Sequence, residues 1–306
     1  MSLVDYPFSN PPKFQSYTPA PRSLSRSTII KINQFRFREK NNSPFISGDS
    51  IASLTDYYVY GKSGNENLDI KKLVRSNSIF VNSDKLFKLI KEIGNKPIKA
   101  RVLITGNSDY NFTKKYILPK SFKLWLCQNN AMPKSKNVFT LPIGIENLRL
   151  GRLGLQRYYK PHNSNVIEDK ILVPPMSPTN LQRLNAVNFA VKNPALFAVY
   201  TQYLYEKSYF ELTRNYHFVL CCEGNGFENH RIWETLYQGS FPILINSKWA
   251  DSLRYLKLPL LIVDSLNDLT RYRLQKFLSS NIDFEPKNSP QLWIPFWKEL
   301  IDKYSN

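Results

Sequence analysis

The chain has 306 residues, 42% of them hydrophobic and 14% aromatic, enough apolar material for one large core or two medium ones. No run of about 18 apolar residues occurs, so no membrane-spanning helix is expected, and the opening MSLVDYPFSNPPKF lacks the apolar stretch of a secretory signal. Lys plus Arg number 42 against 24 Asp plus Glu, a charge of +18 that favours anionic company, but no RNP-like, helix-turn-helix or zinc-finger pattern accompanies it.

Residues 1–44 are rich in Pro, Ser and Asn and read as an extended arm, with one strand expected near Ile29 to Phe37. From 45 to 169 short apolar runs end in polar residues: SIFVNSD, ARVLITGNSD, KLWLCQNN and NVFTLPIGIEN. Between the first two, KLFKLIKEIGNK has the spacing of an amphipathic helix stopped by Gly94. Strand, helix, strand in that order predicts a parallel α/β sheet, which binds ligands where its strands spill into loops.

A second unit, residues 170–288, opens on the strand-like KILVPPMS. Helices are expected from Asn180 to Lys192 and from Pro194 to Thr213, then a strand from His217 to Cys222, a helix from Asn229 to Gly239 and a strand from Phe241 to Asn246. A short helix and a strand from Leu260 to Val263 follow. Residues 289–306 read as a helix with an aromatic face. The fold class is therefore α/β, two Rossmann-like units facing across a cleft. The default location is the cytoplasm, and the spread of positive charge suits the inner face of an anionic membrane.

Cys127, Cys221 and Cys222 show no CxxC spacing, and His162, His217 and His230 form no ligand cluster. No DxD occurs. Neither a bound metal nor a tightly held cofactor is expected.

The chemistry concentrates in YHFVLCCEGNGFENHRIWETLYQGSFPILI, from Tyr216 to Ile245. A strand delivers its end into Glu223, Gly224, Asn225 and Gly226, where two glycines let backbone N–H groups approach a ligand. The helix that follows would point its dipole at an anion. Arg231 suits a diphosphate through its planar fork, Glu234 a vicinal diol through its two acceptor oxygens, and His230 a phosphate or sugar contact. Upstream, SPTNLQR could present Thr179, Asn180 and Arg183 to the same place; an ordinary helix cap with a solvated arginine reads the same way.

This segment resembles the donor-site signature of exostosin-like glycosyltransferases and related bacterial surface-polysaccharide transferases, roughly F-x-L-C-x-x-G-x-G, His or Ser-Arg, x-x-E-A-L, x-x-G, x-x-P-I. Phe218, Leu220, Cys221, Gly224, Gly226, Arg231, Glu234, Leu236, Gly239, Pro242 and Ile243 match it, and Thr235 stands where Ala is usual. The resemblance covers about 30 residues strongly; ITGNSD, LWLCQNN and LPIGIEN are similar more loosely. It implies a two-domain GT-B enzyme with an acceptor-side domain first, inverting chemistry, no essential metal, a nucleotide-sugar donor and a glycan or lipid-linked acceptor.

Inverting transfer needs a base, expected on a strand-end loop of the first unit. Asp109 in ITGNSD is preferred and Asp49 in FISGDS is second, with Asp84 and Glu146 also in position. The competing expectation is a non-enzymatic basic protein that binds nucleic acid or an anionic glycan.

Overall fold

The computed structural model describes Thr28 and residues 41–150, 153–160 and 168–306. Most of the expected N-terminal arm, its strand near Ile29 to Phe37 and His162 lie outside the described residues. Within them are two parallel five-stranded sheets.

The first sheet contains β1 (Tyr57–Val59), β2 (Ser78–Asn82), β3 (Val102–Gly106), β4 (Leu124–Cys127) and β5 (Val138–Thr140), ordered β1-β2-β3-β4-β5 and parallel throughout. Strands β2, β3 and β4 are buried along their whole length. That explains why they read as unbroken apolar runs rather than alternating ones.

Helix α1 (Gly48–Ala52) precedes this sheet, and α2 (Ile70–Arg75) and α3 (Leu86–Ile93) cross over within it. Helix α3 buries Leu86, Leu89 and Ile93 and ends on Gly94, whose φ of 52° is the left-handed turn a glycine accepts. The crossovers lie on one face. Leu73 of α2, the three α3 residues, Phe112 between β3 and β4, and Met132 between β4 and β5 all join one cluster with Ile79 and Leu103. A sheet wound steadily in one direction puts its connections on one side, because the crossovers share one hand. Its other face, Phe80, Ile104 and Leu126, must be covered by other parts of the chain.

The second sheet contains β6 (Glu168–Val173), β7 (Phe197–Val199), β8 (Tyr216–Leu220), β9 (Phe241–Ile245) and β10 (Leu261–Val263) in the order β10-β9-β8-β6-β7. Helices α4 (Leu181–Lys192), α5 (Glu206–Thr213), α6 (His230–Tyr237), α7 (Lys248–Ser252) and α8 (Arg271–Ser280) connect or follow these strands. The winding reverses here: β6 connects to β7 on one side, whereas β8 continues to β9 and β10 on the other. The reversal leaves a crevice at the C-terminal ends of β6 and β8.

The helix expected over Pro194 to Thr213 is corrected in its first half, where Phe197–Val199 forms β7 beside β6. A three-residue apolar run carries too little periodicity to separate helix from strand, and pairing with β6 decides it. The short strand β1, the helix α1 and the helix α8 were not anticipated.

The last helix, α9 (Ile294–Ser305), does not stay with the second sheet. Its Ile294, Trp297 and Ile301 enter one cluster with Ile46, Ile51, Phe80 and Ile104 of the first unit and Trp233 and Leu236 of α6. The Ile294 N–H donates to Pro44 O at 3.0 Å, and Arg101 Nη1 donates to Asn306 O at 2.6 Å. Thus α9 and the second unit together cover the face that the first sheet's own crossovers leave open. Among the described residues no helix is long and apolar enough to cross a membrane.

Candidate functional site between the strand ends

The loops that follow β3, β4 and β5 meet the turn that follows β8. Asn129, just past β4, has a φ of 51° and accepts from Glu228 N through Oδ1 at 2.8 Å. Asn111 Oδ1 accepts from Phe227 N at 2.9 Å, and Glu228 Oε1 accepts from Ile143 N at 2.8 Å. His230 Nδ1 donates to Gly144 O at 2.8 Å, which leaves its other ring nitrogen for a ligand. A Cβ at Gly226 would come within 2.9 Å of the Asn129 side chain and 3.0 Å of Asp109 O, so the closeness of the two units depends on glycine there.

At the reversal between β6 and β8 stand the expected donor-binding residues. Asn180 caps α4 through Arg183 N, and its Nδ2 donates to Glu223 O at 3.1 Å and Gly224 O at 2.8 Å. Arg183 donates from Nε to Glu223 O at 2.7 Å and from Nη1 to Ser177 O at 3.0 Å. Thr179 is exposed. The turn is therefore shaped by contacts to its carbonyls: among the described residues, the N–H groups of Gly224, Asn225 and Gly226 meet no acceptor. Glu223 is half-buried; burial raises its pKa, against a hydrogen bond with Ser247.

Arg231 is half-buried, with Nη2 donating to Pro175 O at 2.8 Å and Nε to the Tyr209 hydroxyl at 3.3 Å. Neither Arg183 nor Arg231 has a carboxylate within ion-pair distance among the described residues. Burial, and then the charge of Arg231, lowers the pKa of Arg183, which places two like charges close together. Such a pair attracts an anion.

Glu234, on the same helix as Arg231, is 2% exposed. Its Oε2 accepts from the Tyr209 hydroxyl at 2.9 Å, and its Oε1 has no partner. Burial raises its pKa, and the His230 and Arg231 charges and the Tyr209 hydroxyl pull it back down. An unpartnered buried carboxylate oxygen is costly, and a ligand hydroxyl would relieve it.

On the opposite lip, Asp109 is exposed, and its Oδ2 accepts from Asn225 Nδ2 at 3.3 Å. Asp49 is differently placed: it is 3% exposed and gripped by Arg149, Nε to Oδ2 at 2.6 Å and Nη2 to Oδ1 at 3.3 Å. Asn107 Nδ2 adds a third bond to Asp49 Oδ1 at 3.2 Å. Asp84 is exposed beside Lys85, and Glu146 accepts from Leu153 N.

Two participants were not anticipated. Tyr209 on α5 touches both Glu234 and Arg231, but a helix-borne tyrosine far upstream in sequence carries no signal of that meeting. Glu228, just before α6, is the other. It is 3% exposed, bonds Trp233 Nε1 at 2.7 Å as well as Ile143 N, and leaves Oε2 unpartnered. Burial pushes its carboxyl up to about 8. All three cysteines are buried and free, with burial holding the Cys222 thiol up at about 11. Among the described residues no group of three or more His, Cys, Asp or Glu is arranged to hold a metal ion.

Compared with known proteins, the chain matches no protein-family model and no curated protein.

Proposed function

We propose that this chain is a glycosyltransferase that moves a sugar from a nucleotide-sugar donor to a glycan or lipid-linked acceptor. The observation that carries the reading is Glu234, a buried carboxylate with a vacant oxygen, whose Tyr209 partner also meets Arg231, with the charge of Arg183 close to that of Arg231. A nucleoside diphosphate meets those needs together: its ribose diol donates to Glu234 and its diphosphate lies against Arg183, Arg231 and the N–H groups of Gly224 to Gly226. The position at a winding reversal, where parallel sheets bind ligands, supports the same reading. So does the opposition of two sheets' strand ends, the arrangement of a GT-B enzyme.

The reaction we assign is inverting. An acceptor hydroxyl oxygen bonds to the anomeric carbon, and the bond from that carbon to the diphosphate oxygen breaks with its electron pair passing to the diphosphate. The hydroxyl proton passes to a carboxylate. Asp109 is the base in this scheme, since it is exposed at the lip, whereas the Asp49 oxygens are held by Arg149 and Asn107. The cationic pair and the backbone donors stabilise the leaving diphosphate, with no metal required.

The test is a thermal-shift screen of nucleoside diphosphates followed by a transfer assay with the best binder. The expected result is a raised melting temperature that Glu234→Ala abolishes and Asp109→Asn retains while losing turnover, and activity that survives EDTA. Absence of any shift, with nucleic acid bound instead under steep salt dependence, would favour a non-enzymatic basic binding protein.

A further inference from the structure

The outer face of the first sheet carries a feature that donor binding does not use. The stretch from Tyr110 to Ile145 holds six lysines and not one acidic residue. It folds into the connections β3–β4 and β4–β5, on the side of the sheet away from the shared core. There it encloses a cavity of about 610 Å³ at the β4–β5 edge, rimmed by Lys115, Lys120, Lys123 and Lys134. Its floor is apolar: Leu118, Phe122 and Met132 line it above the face occupied by Trp125. None of the six lysines has an ion-pair partner among the described residues. Beside the rim, Ile117 stands 93% exposed, a β-branched apolar side chain offered to solvent between lysines on both sides.

Unpaired lysines around an apolar floor are matched by a ligand that has phosphate and hydrocarbon in one body. We infer that this groove docks the protein on an anionic bilayer, with lipid phosphates on the lysine rim and Ile117 entering the acyl boundary. A soluble polyanion would satisfy the lysines alone and leave the apolar floor and Ile117 in water, so the apolar groove within the lysine rim decides for the membrane. The same connection reaches the candidate site. Tyr110 follows Asp109 and its hydroxyl lies 2.5 Å from that of Tyr116, two residues before the groove's Leu118. The inference does not rest on the glycosyltransferase reading and survives its failure.

The test is co-sedimentation of the full chain with vesicles of phosphatidylcholine alone or with about 30% phosphatidylglycerol, at low salt. Binding is expected only to the anionic vesicles, and each rim lysine removed should weaken it roughly fivefold. The groove variant Lys115→Gln/Lys120→Gln/Lys123→Gln/Lys134→Gln is compared with Lys91→Gln/Lys257→Gln/Lys276→Gln/Lys303→Gln, which removes the same charge from exposed positions elsewhere. Only the groove variant should be lost from the pellet. Ile117→Asp, at a position too exposed to affect folding, should weaken binding about tenfold with an unchanged melting temperature. Equal loss in both lysine variants would reduce the effect to net charge and overturn the docking surface. So would retention by the groove variant, an Ile117→Asp chain that binds normally, or binding to a soluble polyanion such as heparin with none to vesicles.

Discussion

Each sheet ends in a cluster of buried polar groups, and the two clusters differ in how fully they are satisfied. Beyond the first sheet, Asp49 takes bonds from Arg149 and Asn107. Asn107 in turn donates to the Tyr58 hydroxyl at 2.8 Å and accepts from Asn147 at 2.9 Å, and Tyr58 donates to Asn82 at 2.8 Å. Both Asp49 oxygens are used within the protein. Beyond the second sheet, Glu234 Oε1, Glu228 Oε2 and Asn229 Oδ1 are buried without partners, and Arg183 and Arg231 have no carboxylate within ion-pair distance among the described residues. The first sheet winds one way, whereas the second reverses its winding, the arrangement that opens a crevice at the strand ends. A closed network holds a structure together, whereas vacancies at a reversal are what a ligand fills.

The contrast can be broken most severely at Asp49. Asp49→Ala leaves the Arg149 guanidinium unpaired in a half-closed site and should cost about 3–5 kcal/mol of stability, read as a lower denaturant midpoint. Glu234→Ala removes one unpartnered oxygen but also the acceptor of the buried Tyr209 hydroxyl, and should cost about 1–3 kcal/mol, less than Asp49→Ala. If the two variants lose stability equally, the distinction between a closed network and an open one fails.

Next comes Glu228, whose effect depends on pH. Its folded pKa of about 8 lies above the ordinary 4.5, so folding takes up a proton between those values. Its favourable contribution is complete below pH 4.5 and is lost as pH climbs through 8. Glu228→Gln keeps the shape and removes the titration. The variant should therefore lose less stability than the parent from pH 5 to pH 8.5, by on the order of 2–4 kcal/mol. Parallel stability curves for the two chains would mean that the carboxyl does not titrate in this window.

The smallest change is expected at Arg183. Lysine keeps the charge but cannot hold Glu223 O and Ser177 O while facing a diphosphate, so Arg183→Lys should weaken nucleoside diphosphate binding about tenfold by calorimetry. An unaltered affinity would reduce Arg183 to a brace for the turn.

Much of this architecture was legible in the residues, and the gaps have physical causes. Strands β2, β3 and β4 announced themselves as apolar runs because they are buried on both faces, and Gly94 marked the end of α3. The order strand, glycine turn, helix, strand around Glu223 to Ile245 was equally readable. Strand β7 was not, since three residues gain their identity from pairing with β6. Asp109 ranks ahead of Asp49 in the sequence without a physical ground that separates them, since each lies shortly after a glycine among polar residues and only the fold brings Arg149 to one and Asn225 to the other. Tyr209 was invisible for the same reason.

The route taken by α9 bears on how the molecule is made. The second unit interrupts the first: residues 41–160 build the opening sheet, and the helix that seals its open face is made some 130 residues later. During synthesis, Phe80, Ile104 and Leu126 emerge with their crossovers already able to cover one side and only Ile46, Ile51 and a few neighbours to cover part of the other. Full burial of that face therefore waits until Trp297 and Ile301 have left the ribosome, and until then the early half shows apolar surface of the kind chaperones bind.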